Sequence, residues 1–289
     1  MPNDTHMART PDVISVRSPW PKISVITPSY NQARFLEETI TSVLNQDYPN
    51  LEYIIIDGGS TDGSVDIIRK HEHQLAYWVS EPDNGQAHAI NKGFRKATGE
   101  WVGFQNSDDC YLPGALFSLV RMGISKRAGV VYGDIVIIDE KSERVCDIRR
   151  TQASLLTELY IGIQIHNQSA LMRRDLLDHV GYLREDLRFC FDYEYYTRLL
   201  SRGVRVQHVP VPLGAFRIHG ASKTTLIRPV ANLEHRAIAA EYTASHPLYR
   251  RIPHQAGVIA AQTEKLVRYA LLGHWNVIHK KALGRSQFE

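Results

Sequence analysis

The sequence predicts an α/β protein built on a mostly parallel, doubly wound sheet, with a helical extension at its C-terminal end. Three observations carry this expectation. Apolar runs recur four times within residues 22–104, and each is followed by a segment of helical periodicity. The runs are nearly continuous rather than alternating, as in strands covered on both faces. Each also ends in a polar loop rich in Asp, Asn, Ser or Gly, and open α/β sheets collect ligands outside the carboxyl ends of their strands.

The elements follow in order. Residues 22–28 form a first strand, broken by Ser29-Tyr30-Asn31, with Asn31 placed to cap a helix whose apolar face is Leu36, Ile40, Val43 and Leu44. Pro49 stops that helix, and residues 51–56 form a second strand ending at Asp57-Gly58-Gly59-Ser60-Thr61-Asp62-Gly63. Asp62 or Ser60 caps the next helix, through Ile68; the glycine order is wrong for a dinucleotide fingerprint. A third strand at 76–79 enters Ser80-Glu81-Pro82-Asp83-Asn84-Gly85, then a helix over 86–97 closed by Gly99.

The fourth strand runs from Trp101 to Phe104 and delivers Gln105-Asn106-Ser107-Asp108-Asp109. Two adjacent carboxylates at a strand end repel each other unless a cation or hydrogen-bond donors compensate; equally, they suit a solvated turn before a helix. Beyond them the spacing predicts a helix over 115–123, a hairpin of 130–138 with 144–149, and a strand at 169–172. A helix over 193–202 follows Phe191-Asp192, with Asp192 at the N-cap position. Residues 204–216 are extended, and Pro210 and Pro212 mark them as an edge strand.

Composition narrows the function. Hydrophobic residues make up 43% and charged residues 22% of 289, as in ordinary globular proteins. A net charge of +3 with mixed signs argues against a nucleic-acid partner. Three cysteines without metal-type spacing read as reduced thiols in a cytoplasmic protein. No apolar run approaches the roughly 18 residues of a membrane span, and residues 1–20 read as a polar, disordered leader without a signal-peptide core.

The four loops Thr27-Pro28-Ser29-Tyr30-Asn31, Asp57 to Asp62, Glu81 to Gly85 and Asn106 to Asp109 closely resemble, in order and wording, the donor-binding half of the inverting glycosyltransferase family 2. The likeness is dense over residues 22–116 and continues through His166-Asn167-Gln168, Phe191-Asp192-Tyr193-Glu194 and Arg217-Ile218-His219. The resemblance implies the GT-A fold and transfer of a sugar from a nucleoside diphosphate sugar, UDP-linked, to a hydroxyl of a glycan or lipid-linked acceptor. A role in surface polysaccharide biosynthesis is a family-level expectation.

The resemblance also implies roles. Pro28, Tyr30 and Asp57 would hold the nucleoside, although Asp before Gly is also a common turn former, and Asp83 lies in the next loop of the same site. The second acid that the family often places after Asp57 is Gly58 here. Asp109 would ligate Mn2+ or Mg2+, with Asp108 on the ribose or behind the metal, and Asn106 stands where the family's first acid is usual. His219 would complete the metal or diphosphate site, or be a structural histidine. Asp192 would be the general base, alone or while capping its helix, with Glu194 the weaker substitute.

Lys92 would approach a phosphate at its helix N-terminus or sit on a solvated face, and His88 replaces a usual acid on that helix. His166 and Gln168 would line the acceptor groove or serve as core polar residues. The expected organisation is a leader at 1–20, a catalytic domain at 21–225 divided at 116/117 into donor and acceptor halves, and a helical extension at 226–289. The basic, amphipathic tail suits a domain cap, a homodimer contact or peripheral attachment at the inner face of a membrane. Two other readings compete: a sugar-1-phosphate nucleotidyltransferase, which lacks its Gly-rich triphosphate loop here, and a degenerate sugar-nucleotide-binding module, against which Asp108, Asp109 and Asp192 speak.

Overall fold

The computed structural model describes residues 20–275 and residue 277, so the expected leader, Trp20 apart, lies outside the described residues, as does most of 276–289. The first half alternates β1 (Ile23–Ser29), α1 (Ala33–Leu44), β2 (Leu51–Asp57), α2 (Ser64–His71), β3 (Tyr77–Ser80), α3 (Gln86–Lys96) and β4 (Trp101–Phe104). The second half holds β5 (Cys110–Tyr111), α4 (Ala115–Lys126), β6 (Val130–Ile138), β7 (Arg144–Ile148), α5 (Leu155–Ile161), β8 (Ala170–Arg173), α6 (Asp175–Val180), α7 (Phe191–Ser201) and β9 (Val206–Arg217). Three helices close the described chain: α8 (Lys223–Leu226), α9 (Arg228–Ser245) and α10 (His254–Leu271).

All the strands join one sheet in the order β3-β2-β1-β4-β8-β6-β9-β5, with β7 paired to β6. Strands β1 to β4 are parallel, β8 reverses direction, and β6 and β9 run parallel to each other beyond it. Alternation along each strand splits the core in two. Ile26, Ile54 and Ile56 face α3, α6 and α7, whereas Ile23, Val25, Tyr53 and Ile55 face α1, α2 and α4. This two-sided burial is why the strands read as continuous apolar runs.

Three sequence expectations change. Asn31 does not cap α1: its backbone is left-handed (φ 51°), and its Oδ1 accepts from Thr61 N–H at 2.9 Å. The first amides of α1 are met by the neighbouring loop instead, Gln32 N–H by Ser64 Oγ and Ala33 N–H by Asp62 Oδ2. Asp192 is not an N-cap either, since it lies inside α7, behind Cys190. The amides of Arg188, Phe189 and Cys190 before α7 donate to the Glu234 carboxylate of α9.

β9, expected at an edge, is internal where it lies between β6 and β5. Its ladder to β6 jumps from Gly133↔Val209 to Asp134↔Pro212, so Pro210 and Val211 bulge out and the missing N–H of Pro210 falls outside the ladder.

The C-terminal helices brace the second half. α10 packs on α5 through Gly257 against the Tyr160 ring. Arg268 donates to Gln152 O (2.7 Å) and Tyr269 OH to Arg149 O (2.8 Å).

Candidate active site

The carboxyl edge of the sheet gathers the polar loops. The pairing of Cys110 with Ala215 carries the chain end beyond β9 back alongside the loop after β4. There His219 Nε2 lies 3.0 Å from Asp108 Oδ2, its ring packed 4.7 Å from that of Phe35. Arg217, 1% exposed, is the brace: its Nε donates to Asp108 O, its Nη2 to Glu38 (2.6 Å), and its Nη1 to Asp139 O and Ser142 Oγ.

The two adjacent acids have opposite environments, and not in the order expected. Asp109 is fully buried; its Oδ1 accepts from Arg217 N–H (2.9 Å), and its Oδ2 from Asn106 Nδ2 (2.9 Å) and Gln168 Nε2 (2.8 Å). Burial, reinforced by the charge of Asp108, pushes its carboxyl well above the usual range. Asp108 keeps 20% of its side chain exposed, beside His219. Asp109 therefore organises the loop and Asp108 faces outward. Gln168, expected on the acceptor, is likewise buried as a partner of Asp109.

Among the described residues no three His, Cys, Asp or Glu side chains converge as a closed metal cage. Asp108 and His219 would fit a more open kind of site, one carboxylate and one imidazole, which leaves a divalent cation dependent on oxygen ligands from outside the protein.

On the nucleoside side, Asp57 is fully buried and bonded to its own loop and to the end of β3. Its oxygens accept from Gly59 N–H, Ser60 N–H, Ser60 Oγ and Ser80 Oγ, at 2.5–3.1 Å. Pro28 is buried within β1. Tyr30 is 63% exposed, and Asp83 is half-buried in the neighbouring loop. Lys92 is ion-paired with Glu81 rather than poised at the start of α3. His88 turns back to accept Asn84 N–H at 3.1 Å.

Asp192 lies past the end of β4, lining with Phe104, Ala170, Tyr195 and Tyr196 a void of about 10 Å³, too small for a substrate. Burial raises its carboxyl to about 6. Glu194 points elsewhere: it is 1% exposed, ion-paired with Arg198 at 3.0 Å, and accepts Tyr242 OH at 2.7 Å. It ties α7 to α9 and does not share the role of Asp192. His166 accepts from the Arg150 guanidinium (2.7 Å), and burial together with that cation keeps it neutral.

One cation escaped the sequence reading. Lys223, at the start of α8, donates to Gln86 Oε1 (2.9 Å) and feels the charges of both Asp83 and Asp108. Gln86 passes on to Asn106, and Asn106 to Asp109, so one hydrogen-bonded chain spans the mouth of the crevice. Its position three residues after Gly220 in Gly220-Ala221-Ser222-Lys223 was the available signal.

Acids and a histidine gathered outside the carboxyl ends of parallel strands mark the ligand-binding edge of an open α/β sheet, and the comparisons resolve its class. Residues 24–181 match the model of glycosyl transferase family 2. The chain is 31% identical over 217 residues to an uncharacterized glycosyltransferase of Nostoc sp., covering 70% of this chain and 66% of that one. It belongs to glycosyltransferase family 2. The fold is that of GT-A enzymes: residues 1–349 of S. aureus TarS, in complex with UDP-GlcNAc, align with TM-score 0.63 at 19% identity, over 86% of this chain and 72% of that fragment. The mannosyltransferase PcManGT of Pyrobaculum calidifontis, in complex with GDP-Man and Mn2+, aligns with TM-score 0.56 at 22% identity, over 86% and 87%. The chain spans 59–66% of the length of the relatives from Rickettsia typhi, Rickettsia prowazekii and Nostoc sp., and 31% of those from Rickettsia felis and Rickettsia conorii.

Proposed function

We propose that the chain transfers a sugar from a UDP-sugar to a hydroxyl of a glycan or lipid-linked acceptor, with inversion at the anomeric carbon. The observation that carries this is the convergence of Asp108, His219 and Lys223 at the carboxyl edge of a GT-A sheet. UDP and GDP-mannose with Mn2+ in the structural neighbours support a diphosphate at this edge.

Asp108 and His219 would hold Mn2+ or Mg2+. When bound, that cation neutralises charge growing on the departing diphosphate. Lys223 adds a positive charge next to it and, through Gln86, orients the Asn106 loop. Asp192 removes the proton of the acceptor hydroxyl as its oxygen bonds the anomeric carbon and the carbon–oxygen bond to the diphosphate breaks. Its carboxyl, raised to about 6, is ionised at neutral pH yet basic enough to accept that proton. No covalent sugar–enzyme intermediate is needed. Where the acceptor is lipid-linked, the exposed Ile259, Val267 and Leu271 on α10 favour a membrane surface; no helix among the described residues is long and apolar enough to cross one.

The test is product analysis with UDP-sugars and a panel of hydroxyl acceptors. Free UDP should appear, with the rate falling on the acid side of about pH 6. Asp192→Asn should lose roughly 10²–10⁴-fold in rate while still binding UDP. Pyrophosphate as the product, or no donor-dependent UDP release, would overturn this reading.

A further inference from the structure

The end of β2 carries a vacancy in its side-chain row that another residue fills. A Cβ built on Gly58 would lie 2.6 Å from Asp83 Oδ2, 3.2 Å from its Cγ and 3.3 Å from Tyr30 Cδ2. Asp83 therefore reaches across from the loop after β3 into the space where a residue-58 side chain would stand. Its Oδ1 is fixed by Gly85 N–H at 2.7 Å. No hydrogen-bond donor among the described residues meets its Oδ2. The exposed Tyr30 ring stands beside it, on the same edge that holds Asp108 and Lys223 further along.

Resting on the transferase reading, we propose that Asp83 is the base-reading residue of the donor site. Its Oδ2 accepts the imide N–H of a base stacked on Tyr30. A fixed carboxylate oxygen selects bases that present an N–H on the Watson–Crick edge, N3–H of uracil or N1–H of guanine. It rejects adenine and cytosine, whose ring nitrogen there is a lone pair facing the carboxylate. Asp57 is committed elsewhere: fully buried, it accepts four donors, from its own loop and from Ser80 of β3. The absence of a side chain at 58 is what admits Asp83; the glycine belongs to the specificity device rather than to the turn alone. Tyr30 supplies sequence-tolerant stacking and Asp83 the discrimination.

The experiment is titration of the full chain, with Mn2+, by UDP, GDP, ADP, CDP and N3-methyl-UDP. Wild-type protein should bind UDP or GDP, with ADP and CDP at least about 10-fold weaker. If UDP is the ligand, N3-methylation should cost about 10–100-fold. Asp83→Ala should lose that penalty, binding UDP and N3-methyl-UDP alike. Gly58→Ala should do the same in a folded protein, because its methyl group meets side chains alone, chiefly the end of Asp83, with the edge of the exposed Tyr30 ring at 3.3 Å. Unchanged discrimination in Asp83→Ala would overturn the assignment while leaving the transferase intact. Failure of wild-type protein to bind any of the nucleotides would instead remove the reading on which it rests.

Discussion

Asp108 and Asp109 show how neighbouring identical residues acquire different tasks from burial alone. Asp109 satisfies three donors at once, the amide of Arg217 and the side-chain amides of Asn106 and Gln168. Removing its carboxylate strands all three in a dry site, so Asp109→Ala should cost about 3 kcal/mol or more in urea unfolding. Asp108→Ala, at a position partly open to water, should cost less than about 1 kcal/mol. Equal losses would contradict the division. The sequence announced the pair but not the order, because adjacent residues in a turn have no periodicity from which to read their direction. Asp57 is ambiguous in sequence for a related reason: an Asp before Gly-Gly-Ser looks the same whether its oxygens face a ligand or its own loop amides. Asp83 and Lys223 became meaningful only once β3 and α8 were placed beside Gly58 and Gln86.

At the scale of elements, legibility followed periodicity. The four parallel strands, the helices between them and the β6–β7 hairpin were readable because apolar spacing is a direct image of two-sided burial. The cap of α1 was not, since its donors are met from the loop after β2, thirty residues away. Nor was the position of β9, where a bulge takes Pro210 out of the ladder. A helix glycine supplies a test at this scale. Gly123 in α4 should favour alanine by about 1 kcal/mol on helix propensity alone. A Cβ there would instead press on the buried indole of Trp101, 2.7 Å from Cζ2, and on Val131 at 3.0 Å. Gly123→Ala should therefore destabilise the protein by about 1–3 kcal/mol in chemical denaturation. A stabilised variant would show that the α4–sheet contact is looser than described.

For the whole molecule, the tail beyond residue 226 is a buttress of the second half of the sheet domain. Glu234 of α9 holds the amides ahead of α7, the helix that carries Asp192, and α10 closes over α5. Within α5, Glu158 is buried and its carboxyl is raised to about 8, chiefly by burial. Its folded form holds a proton more tightly than the unfolded chain, whose value is near 4.5. Stability is thus favoured at low pH and falls as pH rises through that window. Glu158→Gln should flatten the decline and gain on the order of 2 kcal/mol over wild type by pH 8, read from urea midpoints across pH 5–8. An unchanged pH profile would place the charge elsewhere. The central claim, a cation-assisted diphosphate site formed by Asp108 and His219, is tested most directly by calorimetric titration of UDP with and without Mn2+. The account predicts binding that requires Mn2+, is abolished in Asp108→Ala and persists in Asp192→Asn. Binding by Asp108→Ala as tight and as metal-dependent as wild type would contradict it.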